Sequence, residues 1–184
     1  MKKAIAVLLT LATLFSFTGC EDKDKLSAND KDKIKKISFP NEKNQTIDLD
    51  IYFDSSKDKN SFDITKEERL IQKETLLGEL IMSELIKGPS RNSELKPILP
   101  AKTRLLGLSI KDGIAYVDLS NEAVTNMTAS KEEACLKCIL YSLTQLPSIS
   151  KVKILIDHKD VQVLGGNYDI STAFGKDDIN GRKK

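Results

Sequence analysis

Two cysteines three residues apart, in Cys135-Leu136-Lys137-Cys138, are the pattern in this chain best suited to chemistry. A reactive CxxC needs its first thiol at a helix N-terminus, where free N–H groups and the helix dipole favour the thiolate. Here Ser130-Lys131-Glu132-Glu133 reads as a capping box, which puts Cys135 five residues inside the helix. Cys135, Cys138, Ile139, Ser142, Leu143 and Leu146 then share one face, as core thiols would. A disulfide at i, i+3 in a regular helix is geometrically awkward. The spacing therefore favours packed thiols, with a local disulfide or redox pair, or a metal site, as alternatives. His158, the one histidine, follows a strand-like run in Asp157-His158-Lys159-Asp160 and reads as a turn residue. As a general base it would pair with Asp157 or Asp160, but no nucleophile elbow accompanies it. Asp48 and Asp50 share a strand face and read as solvated charge, since a calcium loop needs denser ligands. Gly165-Gly166 is not followed by the helix and Lys or Ser/Thr of a phosphate loop. No catalytic residue, cofactor site or metal ligand is expected, and the chain is not read as an enzyme.

Composition narrows the classes further. The chain has 184 residues, with no Trp, one His and three Cys. That is too little His and Cys for a His-cluster metal centre, a disulfide scaffold or a two-knuckle zinc site. The formal charge is +2, and Lys2 and Lys3 account for it. Without them the charge balances, so no basic surface argues for nucleic acid. Lys2-Lys3, the apolar run Ala4 to Phe15 and the small residues after it read as a secretory signal. The run falls short of the ~20 apolar residues that span a bilayer. Thr18-Gly19-Cys20 resembles a bacterial lipobox, with Phe17 where Leu is usual. The resemblance implies cleavage after Gly19 and a diacylglycerol thioether on Cys20; the alternative is an ordinary signal peptide. Acyl chains on Cys20 would hold the protein durably at the extracytoplasmic face of the cell membrane. From Glu21 to Lys36 eleven of sixteen residues are charged, in mixed signs, which buries too little surface to fold. The expected layout is a signal peptide at 1–19, the lipidated Cys20 and a disordered tether at 20–44, one folded domain at 45–174, and a flexible tail at 175–184. The tether would reach about 25–30 Å.

Periodicity supplies the elements of the domain. Ile47, Leu49, Ile51 and Phe53 alternate with polar positions, a half-buried strand. Thr65-Lys66-Glu67-Glu68 reads as a capping box opening a helix. Leu70, Ile71, Leu77, Leu80, Ile81, Leu85 and Ile86 give that helix its apolar face, and Gly88-Pro89 stops it. Leu106 to Ile110 and Ile114 to Leu119 are strands around the hairpin turn Asp112-Gly113. The helix from Ser130 runs to about Leu146, before Pro147. Val152, Ile154 and Ile156 form the last clear strand, with a weaker one at Val161–Leu164. The order β-α-β-β-α-β predicts an α+β fold. It is a two-layer sandwich with two helices on one face of a three- to four-stranded sheet.

Phrases between Leu76 and Leu164 resemble the GerM domain, a sporulation and spore germination module of bacterial envelope lipoproteins. Leu80 to Pro89 looks like its helix ending in Leu-x-x-Gly-Pro. Ile98 to Leu106 resembles its proline loop, with Ala101 in place of a glycine. Lys111 to Ser120 looks like its Asp-Gly hairpin and Val-Asp-Leu-Ser strand, and Tyr141 to Pro147 like its second helix end. His158 falls where the family tends to have glycine. The resemblance implies a ring-building-motif-like fold and a non-enzymatic role through protein–protein contacts. The partners implied are other envelope or sporulation proteins, in a homo- or hetero-oligomer, with ring or channel assembly among the outcomes. Asp112, Arg91 and Glu94 are candidate contact residues. A small-ligand or wall-fragment binding lipoprotein is the second reading, and a thiol-redox protein using Cys135 and Cys138 the third.

Overall fold

Residues 45–184 are described in a computed structural model. The leader at 1–19, Cys20 and the tether at 20–44 lie outside the described residues.

Strand β1 (Thr46–Asp54) forms where the sequence alternates, but its partner is the stretch expected to open a helix. Strand β2 (Ile64–Gln72) pairs with it residue for residue, antiparallel, from Thr46↔Gln72 to Asp54↔Ile64. The joining loop is tied by Ser55 N to Asp63 O at 2.9 Å and Ser56 N to Asp54 Oδ1 at 2.8 Å. Thr65 and Glu68 are therefore strand residues and cap nothing. A four-residue cap signal is worth about 1 kcal/mol, less than a nine-rung ladder can offer the same backbone. Helix α1 (Lys73–Lys87) follows β2 directly, with Gln72 as an N-cap that makes no side-chain bond. Gly88 ends it at φ 82, a left-handed conformation that glycine adopts without steric cost.

The main sheet runs β3-β4-β5-β6. Strands β3 (Leu105–Lys111) and β4 (Ile114–Leu119) form the expected hairpin, with Asp112 and Gly113 both at positive φ. Strand β5 (Lys151–Ile156) lies parallel to β4, and the short β6 (Lys159–Asp160) returns antiparallel. Val161–Leu164 is not a strand; the return falls two residues earlier, after a tight Asp157-His158 turn. Helix α2 (Ala129–Leu143) crosses from β4 to β5. Its N-cap is Thr128, whose hydroxyl accepts from Lys131 N at 3.4 Å, so the cap lies two residues before Ser130. Its last residue is Leu143 rather than Leu146.

The α+β class, the two helices and the four-stranded sheet agree with the sequence reading. The first strand does not: it belongs to a separate two-stranded hairpin. Helix α1 packs on β3 and α2 on β5, and the helices touch each other. Between helices and sheet lie Met82, Leu108, Val117, Leu136, Ile139, Leu140, Leu143 and Ile154, all buried. Burial of each such side chain favours folding by about 1.5–3 kcal/mol. The carboxy-terminal residues complete this core. Phe174 bridges Val152, and Ile179, in a 3-10 turn over Ile179–Arg182, is buried beside α2. The stretch 175–184, expected as a flexible tail, thus contributes Ile179 to the core. Its polar composition hid one inward-pointing isoleucine and an arginine that bonds the backbone oxygens of Asp169, Thr172 and Ala173.

Candidate functional site

The buried charged side chains act as struts. Glu132, in the first turns of α2, is fully buried. Its Oε1 accepts from Gly165 N at 2.8 Å, and its Oε2 from Asn167 N at 2.6 Å and Asn167 Nδ2 at 2.9 Å. Three charge-assisted bonds thus fasten the 165–167 loop to the helix. Gly165 is required there because a Cβ would come within 2.8 Å of Met127 Cβ and 2.9 Å of Glu132 Cδ. Gly165 is thus a packing residue, while Gly166 turns the chain at φ 102. Lys153, on β5, is buried against Asp160 Oδ1 at 2.8 Å and the oxygens of Ile170 and Ser171.

His158 meets a different acid from either that the sequence offered. Asp118, on β4, accepts from His158 N at 3.0 Å with Oδ1, and its Oδ2 lies against His158 Nδ1. Asp157 accepts from Asn121 N at 3.2 Å instead. The imidazole is largely exposed, and Asp157 and His158 both hold positive φ. The left-handed backbone at 158 is the physical reason a glycine suits this turn. Asp48 and Asp50 lie on the exposed β1, and Asp50 pairs with Lys66 at 2.7 Å. Among the described residues no group of three His, Cys, Asp or Glu side chains could hold a metal ion.

Cys135 and Cys138 are free thiols. Burial pushes the Cys135 thiol up to about 12, with Cys138 and Glu132 adding to the effect, and burial also raises Cys138. A thiol held that high is protonated at neutral pH and makes a poor nucleophile. Cys138 is half-buried and opens onto a groove of about 640 Å³.

The groove lies between α1, α2 and the loop that follows α1. Its floor is Ile81, Leu85 and Cys138, and its walls are Leu80, Leu95, Pro97 and Ile98. Glu84, Lys96, Ser142 and Gln145 supply its polar margin. The turn at Gly88-Pro89 sends the chain back across the helix ends, which places Leu95 and Pro97 opposite α1. Leu80 and Leu95 remain 55% and 74% exposed, an unusual placement for two leucines side by side. A second depression of about 390 Å³ lies along Lys96–Ile98 and Met127. Of the candidate contact residues, Arg91, Glu94 and Asp112 are exposed, and none lines the groove. The sequence reading missed Glu132, Asp118 and Asn167 as organising groups. Asp118 had a visible signal, an acid in the apolar strand Ile114–Leu119 on the face opposite Val117 and Leu119.

No helix among the described residues is long and apolar enough to cross a membrane. The spore germination protein GerM of Bacillus subtilis (strain 168) is 30% identical to this chain over 130 residues, which is 67% of this chain and 35% of that protein. The chain therefore spans about a third of that relative's length. A 2.5 Å crystal structure described as a lipoprotein from Clostridium perfringens is 46% identical. It superposes with a TM-score of 0.69, over 80% of this chain and 99% of that one. Residues 50–162 match the family described as Germane, sporulation and spore germination. That match takes in both helices, the β1–β2 hairpin from Asp50 onward and the sheet: the chain belongs to the Germane family of sporulation and spore germination proteins.

Proposed function

We propose that this is an exported lipoprotein, held through diacylglycerol on Cys20 at the extracytoplasmic face of the cell membrane. It acts without catalysis, through contacts with other envelope or sporulation proteins, in sporulation, spore germination or envelope assembly. Such contacts include ring or channel building by repeated neighbours. The observation that carries this reading is the apolar groove over α1 and α2, whose Leu80 and Leu95 are left outside the core. The buried charges support it as well, since Glu132, Lys153 and Asp118 each bond a loop of the fold itself. Family membership supports a setting in sporulation or germination. A second reading is a small-ligand or wall-fragment binding lipoprotein. The groove's volume falls within the range of about 300–1,000 Å³ of ligand sites, and its lining is mainly apolar.

A photo-crosslinker at Leu95, in sporulating and in vegetative cells, tests the contact reading. Adducts with envelope proteins of sporulating cells are expected, and Leu80→Asp should abolish them. Recovery of vegetative wall enzymes alone would count against the sporulation role. Cys20→Ala should release the protein from the membrane fraction, and retention there would refute lipid anchoring through that residue.

A further inference from the structure

The β1–β2 hairpin is a second exposed surface, away from the groove. One edge of β2 bonds β1, and among the described residues no strand pairs with the other. A long, uncovered strand edge is a template for another strand, and an isolated two-stranded hairpin is marginally stable in water. Two aliphatic side chains on the same face of β2 are also left in solvent, Ile64 at 54% and Leu70 at 66%.

The sequence of β2 says what fits there. Ile64-Thr65-Lys66-Glu67-Glu68-Arg69-Leu70 reads nearly as its own complement when reversed. Laid antiparallel on a copy of itself about Glu67, it sets Ile64 against Leu70 and Lys66 against Glu68, and the two-fold axis makes each match twice. Cross-strand apolar and opposite-charge pairs of this kind are the units that stabilise a sheet. One like-charge meeting remains, Glu67 with itself, and Arg69 already lies 3.0 Å from that carboxylate. The open edge of β1 lacks this property. Each antiparallel register that keeps its apolar face matched sets Asp48, Asp50 or Asp54 against another aspartate, with no lysine or arginine in the strand to offset them.

We propose that the partner for the β2 edge is a second copy of this chain. The two hairpins join β2 to β2 about a two-fold axis at Glu67, forming one four-stranded antiparallel sheet. Such a contact is isologous, so it closes at two copies and buries both open edges. It goes beyond the groove reading and does not depend on it: the groove lies on the helices and stays free in the dimer.

Sedimentation velocity on the full chain in density-matched detergent, across a concentration series, reads the assembly. The parent should form a dimer as concentration rises. K66E and E68K each create two like-charge pairs and should weaken the dimer at least about tenfold, while the double variant K66E/E68K restores opposite charges and should recover it. E67C, on the axis, should give a covalent dimer on mild oxidation above the level of the parent chain. The proposal is overturned by a monomer at every concentration, or by assembly indifferent to K66E and E68K. It is equally overturned if the β2 amides that point away from β1 are exchange-protected in a monomer, because another strand then holds that edge. The crosslinks at Leu95 are unaffected in each of these cases, so the two readings fail separately.

Discussion

Replacing Glu132 by Gln tests whether a buried carboxylate holds the loop after β6 in place. The side chain keeps its shape but loses its charge, and one oxygen becomes a donor. The better orientation leaves the oxygen at the Oε2 position, where it keeps Asn167 N and Nδ2. The new NH₂ then faces Gly165 N, formerly 2.8 Å from Oε1, and that buried donor loses its acceptor. An orphaned buried donor costs about 1–3 kcal/mol, and two charge-assisted bonds become neutral ones at up to about 1 kcal/mol each. Removing the charge recovers part of its burial cost, which offsets some of the loss. The net expectation is about 2–3 kcal/mol of destabilisation, or roughly 5–10 °C in Tm for a domain of this size. Urea unfolding followed by circular dichroism measures the first and calorimetry the second. Hydrogen exchange should also show the amides of Gly165 and Asn167 opening well before those of β5. A variant within about 0.5 kcal/mol of the parent, with those amides still protected, would refute the assignment of this network as a strut.

Gly165→Ala attacks the same junction by volume and should cost about 1–3 kcal/mol in the urea assay. Combined with Glu132→Gln it should fall short of additivity, because both loosen one loop. Acid titration probes the surface carboxylates. Asp54 and Asp169 are held below 3.8 chiefly by hydrogen bonds from Ser56 and Ser171, and Glu122 and Glu133 below 4.5 by bonds from Ser120 and Lys137. Lowered values favour the folded state above the unfolded pKa, so stability should be level near neutrality and fall as pH drops below about 4.5 through these groups. Stability that rises on acidification would contradict these hydrogen bonds. Alkylation under native conditions, read by peptide mass mapping, should label Cys138 before Cys135, since the latter is buried and raised to about 12. Equal and rapid labelling would revive the thiol-redox reading.

What could be read from the sequence was what local patterns decide alone. The Asp112-Gly113 hairpin, the Gly88-Pro89 stop and the apolar alternation of β4 and β5 each depend on neighbours in sequence, and each appears where expected. Ile64–Gln72 was opaque because its charges suit a helix surface as well as a strand, and only pairing with β1 twenty residues away chooses between them. The cap of α2 was misplaced by two residues because Thr128 and Ser130 offer similar hydroxyls. The groove has no linear signature. Leu80 belongs to the helical period and Leu95 to a loop, and only the turn at Gly88 brings them together. The struts were equally hidden, since Glu132 is one charged residue among many until Gly165 and Asn167 arrive from 33 and 35 residues away.

The absence of a loop between β2 and α1 has a mechanical side. The chain enters the described residues at Gln45, whose oxygen accepts from Lys73 N at 2.9 Å, at the very junction where β2 becomes α1. A pull from the amino-terminal side therefore loads the Thr46↔Gln72 rung first, ahead of the main sheet. The hairpin can then yield rung by rung and release about 90 Å of chain while the sheet and both helices stay folded. Under such a pull it is a sacrificial extension spring ahead of the sheet and helices.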